Sequence, residues 1–129
     1  MPYEVSFTKR VAQLARDEYI NECCVGGDAV VNHLLPVLKP HYTGLDTNQE
    51  DWGWFIWIDQ GGKRLAVDVF TDDPDRGEFR IHLTSSTPRW LRRELIVDTP
   101  ELEVLRERVV SALNGWTDTP VTVEHIDPD

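Results

Sequence analysis

The sequence predicts an α+β fold: an antiparallel β-meander of about four to five strands carrying two amphipathic helices on one face, a two-layer sandwich. Three observations point there. WGWFIWID and RLAVDVF flank the short glycine-containing link QGGK, the pattern of a β-hairpin. Two other segments place apolar residues three and four apart, the period of a helix with one buried stripe. The 129 residues suit one domain, 1–129, and no second domain fits beside it.

Tyr3, Val5 and Phe7 alternate with Glu4, Ser6 and Thr8, the period-two signature of a half-buried strand. The following KRVAQLARDEYINECC has no dominant period and reads as an irregular connector with helical turns. In CVGGD, two glycines free the chain and Asp28 is placed to cap a helix from about Ala29. Val30, Val31, Leu34, Leu35 and Leu38 form its apolar stripe, while Pro36 predicts a kink or an end and Pro40 the exit. HYTGLDTNQED, residues 41–51, is polar and turn-rich and reads as a loop.

In the hairpin, pairing Asp59 with Arg64 aligns Ile58 with Leu65, Trp57 with Ala66, Ile56 with Val67 and Phe55 with Asp68. A third strand, Glu78 to Thr84, follows the turn TDDPDRG. STPRWLRRELIVD fits two patterns. Ser86 or Thr87 before Pro88 favours a short helix, whereas the alternation of Leu91, Arg93, Leu95 and Val97 favours a fourth strand over Arg89 to Val97, the preferred reading. DTPELEVLRERVVSALNG is a helix with Thr99 as cap, Pro100 at its first position, Glu101 and Glu103 at the positive end of the dipole and Asn114-Gly115 at its close. Its stripe is Leu102, Leu105, Val109 and Leu113, and a last strand covers Val121 to Glu124.

Side chains alternate across a strand, so parity separates two sheet faces. Trp52, Trp54, Ile56, Ile58, Leu65, Val67, Val69, Phe79, Ile81 and Leu83 belong to the core face. Phe55, Trp57, Asp68, Phe70, Arg80 and His82 belong to the other, a mixture of aromatic and charged groups. Asp68 is expected across from Arg80, with His82 beside Trp57. The two rings that leave the core ask for an explanation: cover by the connector or by the 41–51 loop, a small-molecule pocket, or a protein-binding face.

The net charge of −10 argues against a nucleic-acid backbone as partner and favours a basic protein. MPYEVSFTKRVAQLARDEYI lacks the apolar core of a secretory signal, and no stretch approaches the roughly 20 apolar residues that span a bilayer. The expectation is a cytoplasmic protein without a membrane partner. Cys23 and Cys24 are adjacent, a spacing suited neither to an ordinary disulfide nor to zinc. His33, His41, His82 and His125 show no paired ligand spacing, and TDDPDRGE puts Pro74 and Arg76 where calcium ligands should lie, so neither metal nor cofactor is expected.

CVGGD lacks the lysine of a phosphate-binding loop. An enzymatic role would need His82 with Asp68, or Cys24 activated by the helix start that follows it. A self-associating structural domain is a third reading. The expectation adopted is a small acidic, non-enzymatic domain of immunity or inhibitor type that binds another protein through Phe55, Trp57, Asp68, Arg80 and His82 on its open sheet face.

Overall fold

The computed structural model describes residues 3–60, 62–87, 95–96 and 99–126. Strand β1 spans Tyr3–Thr8 and helix α1 Gly27–Leu38; strands β2, β3, β4 and β5 span Gly44–Glu50, Gly53–Gln60, Lys63–Asp73 and Glu78–Thr87. A short β6, Leu95–Ile96, precedes helix α2, Pro100–Leu113, and β7, Thr122–His125. All pairings are antiparallel. The sheet runs in the order β2-β3-β4-β5-β1-β7, with β6 on the far end of β5. Both helices pack on one face and against each other, α1 over β3 and β4, α2 over β4 and β5. This is an α+β two-layer sandwich.

The core follows from strand parity. Val5, Ile56, Ile58, Leu65, Val67, Val69, Ile81 and Leu83 are fully buried against Val30, Leu34 and Leu38 of α1 and Leu102, Leu105, Val109 and Leu113 of α2. Each such leucine or isoleucine stabilises the fold by about 1.5–3 kcal/mol relative to an exposed one. The β3–β4 hairpin has the expected register, Asp59 opposite Arg64 through Phe55 opposite Asp68. Helix α2 is also bounded as expected: Thr99 accepts from the Leu102 amide at 3.1 Å, and Gly115 takes φ 84° just past the end.

Several expectations are corrected. Residues 44–50 of the expected loop form β2, whose edge position lets it hold a ladder to β3 without an apolar stripe. The cap of α1 is Gly26, in the left-handed region at φ 83°, because the Asp28 carboxylate instead accepts the Tyr19 hydroxyl at 2.6 Å. Helix α1 does not end at Pro36 but runs on to Leu38, with its exit before Pro40 as expected. Trp52 sits in the β2–β3 turn and leaves the core face to pack on Phe70 at 5.3 Å. Ser86 and Thr87 lie in β5, and β7 begins one residue later than expected. Of the strand expected over Arg89 to Val97, Leu95 and Ile96 are in a strand; residues 89–94 and 97 lie outside the described residues.

The connector closes the β2–β3 end of the sheet. It holds two 3-10 turns, Arg16–Glu18 and Glu22–Cys24. The Cys24 Sγ donates to the Glu50 carbonyl at 2.9 Å, the Trp54 indole N–H to the Cys24 carbonyl at 2.8 Å, and the Thr71 hydroxyl to the Val25 carbonyl at 2.8 Å. No described helix is long and apolar enough to cross a membrane.

Candidate functional site

The face turned away from the helices carries a row of side chains that crosses the sheet. Register places Asn48 opposite Phe55, Phe55 opposite Asp68, Asp68 opposite His82, His82 opposite Glu4, and Glu4 opposite Glu124. Asp68 therefore does not face Arg80 as expected. The β4–β5 hairpin opens with Asp73 opposite Glu78, a register that alone would set Asp68 against Leu83 and mix the two faces. A bulge between Thr71 and Asp73 absorbs one residue, and same-face pairing is restored with Asp68 against His82 and Phe70 against Arg80. His82 is separated from Trp57 by the intervening strand β4 and does not sit beside it.

Aromatic surface gathers around the row. The Phe55 and Trp57 rings stack at 4.1 Å, which buries Phe55 (4% exposed) and leaves Trp57 half-buried above it. Phe70 meets Trp52 on one side and the His82 imidazole edge at 4.9 Å on the other. Guanidiniums lie over these rings: Arg64 is 5.0 Å from the Trp57 centroid and Arg80 4.7 Å from that of Phe70. Arg80 is held there by Asp72 at 3.3 Å and Glu4 at 3.4 Å.

Two carboxyl groups of the row, Asp68 and Glu4, have different environments. Burial raises the Asp68 carboxyl above its ordinary value, opposed by the Trp57 indole N–H, which donates at 3.1 Å, and by the nearby His82. Glu4 moves the other way, held down chiefly by its hydrogen bond with His82 Nε2 at 3.0 Å, and further by the charges of His82 and Arg80. The same Nε2 lies 3.2 Å from Arg80 Nη1, so the imidazole closes a small network of Glu4, His82, Arg80 and Asp72.

This arrangement can hold charge and exchange protons, but among the described residues no hydroxyl or thiol is hydrogen-bonded to His82 as a nucleophile would be. Three metal-ligating side chains do not converge anywhere among the described residues. Cys24 is buried, and burial raises its thiol pKa, the opposite of an activated nucleophile. The helix start that would have activated it lies at Gly27, three residues on.

Phe55, Trp57, Asp68, Arg80 and His82 thus occupy one face and its adjoining rows. Glu4 was missed because its partner lies 78 positions away. The alternation of the first strand already put it on the polar side, and only the β1–β5 pairing could bring it to His82. Trp52 was missed because a turn residue is not governed by strand parity. No family model, curated protein or solved structure matches the chain.

Proposed function

We propose that this is a small acidic domain of immunity or inhibitor type that works in the cytoplasm and captures a basic protein on its open sheet face. The observation that carries this reading is the composition of that face. Trp52, Trp57 and Phe70 are half-buried and interleaved with Arg64 and Arg80. Tryptophan and arginine are the residue types in which binding energy concentrates, and large aromatic area is enriched at interface centres. Glu4, Asp46, Asp59, Asp68 and Asp72 add carboxylates to the same face or its margin, in keeping with the overall charge of −10. Such a field speeds encounter with a cationic partner, while the aromatic centre supplies the desolvated contact.

The test is affinity capture with three forms of the full chain: wild type, Trp57→Ala, and Val104→Ala, an exposed site on α2. Circular dichroism would first establish that each is folded. The expected result is a partner, identified by mass spectrometry and then re-bound as a purified protein, that is lost with Trp57→Ala and kept with Val104→Ala. Equal binding by all three would reject the face.

A further inference from the structure

Asp68 is a half-buried carboxylate that makes no ion pair among the described residues. Its Oδ1 accepts the Trp57 indole N–H, and its Oδ2 has no hydrogen-bond partner among them. The other acids near it are answered: Glu4 by His82 and Arg80, Asp72 by Arg80. Arg80, the cation expected to face Asp68, is drawn to those two acids and sits over Phe70 instead. An unpaired carboxylate removed in part from water is costly to keep ionised, and a cation brought to it is attracted more strongly than at the open surface.

The surroundings select among cations. On β4 Asp68 lies between the small Ala66 and Phe70, and across the strands it meets Phe55 and His82. Its diagonal neighbour Gly53 has no side chain, while Trp57 and Phe70 rise on either side. The carboxylate is framed by flat rings whose faces already receive the chain's own Arg64 and Arg80 guanidiniums. A guanidinium is planar, less strongly hydrated than an ammonium, and able to meet a carboxylate through two parallel N–H donors while stacking on an aromatic ring.

We infer that Asp68 is the receptor for an arginine side chain of the basic partner, seated on the carboxylate between the Phe55–Trp57 and Trp52–Phe70 ring pairs. The inference rests on the protein-binding reading of this face.

The probe is methylguanidinium, titrated into the isotope-labelled full chain at constant ionic strength while the Trp57 indole N–H resonance is followed by NMR. Trp57→Phe assigns that resonance. The wild type should show a saturable shift. Asp68→Asn, which keeps an acceptor for the indole, should bind at least about tenfold more weakly. Asp75→Asn, in the β4–β5 turn, should match the wild type. Absence of a saturable shift, or an equal one in Asp68→Asn, overturns the inference. Two mixed results separate it from the reading beneath it. An Asp68-dependent shift together with unimpaired capture by Trp57→Ala removes the partner and overturns the assignment. Lost capture without an Asp68-dependent shift overturns the assignment and leaves the docking face standing.

Discussion

Asp68 and Glu4 stand on opposite sides of the His82 imidazole, on β4 and β1, and their carboxyls move in opposite directions from their ordinary values. One carboxylate is desolvated and makes no ion pair among the described residues. The other is hydrogen-bonded and lies next to a guanidinium. This contrast gives two predictions of opposite sign.

For Asp68 the folded chain retains a proton that the unfolded chain has released above about 3.8. Stability therefore falls as pH rises from 3.8 through the raised folded value, and stays lower above it. Asp68→Asn has no such loss. It should melt close to the wild type at pH 3 and above it at pH 7, as followed by circular dichroism. A lower melting temperature for the variant at pH 7 would show that the ionised carboxylate stabilises the fold. If the site also receives an arginine, the substitution that stabilises the free protein should weaken the complex, the trade-off expected where function opposes stability.

For Glu4 the stabilisation is complete above the unfolded value of 4.5 and is lost as pH falls through the depressed folded value. Glu4→Gln should destabilise the protein at pH 7 and match it in strong acid. The Glu4 and His82 side chains are 24% and 31% exposed, so solvent screens the pair. A double-mutant cycle of Glu4→Gln and His82→Gln in urea should give a coupling below about 1 kcal/mol.

Thr99 joins helix to sheet. Its buried hydroxyl accepts from the Leu102 amide and donates to Ser85 Oγ of β5 at 3.2 Å. Thr99→Ala removes both bonds, and chemical denaturation should register a loss in the upper part of the roughly 0.5–2 kcal/mol range for caps. Thr99→Ser should recover most of it.

Gly53 begins β3 with φ 156°, and a Cβ there would overlap the Val69 carbonyl of the neighbouring strand. Gly53→Ala should lower the urea midpoint by the equivalent of more than about 1 kcal/mol. Because the clash falls at the β3–β4 ladder, amide exchange should accelerate first around Trp54 and Val69. Gly62 faces open space on the β3–β4 turn, but its φ of 84° also disfavours a side chain, so Gly62→Asn, which tolerates that region, is the milder comparison.

By itself the sequence determined what short-range rules govern. Alternation along residues 54–59 and 64–69, with a glycine link of fixed length, set the β3–β4 register and sent Phe55 and Trp57 away from the helices. Thr99, Pro100 and Gly115 bounded α2 because capping is decided within one turn. Tertiary structure decided what depends on groups distant in the chain. The polar segment 44–50 became a strand because an edge position supplies its hydrogen-bond partners without asking for apolar side chains. Asp28 does not cap α1 because its carboxylate is engaged by the Tyr19 hydroxyl, from a separate turn of the connector. A bulged residue in β4 turned Asp68 toward His82, and insertion of β1 between β5 and β7 brought Glu4 to the same imidazole. Strand order and bulge placement depend on packing of the whole sheet against its helices, and no local period encodes them.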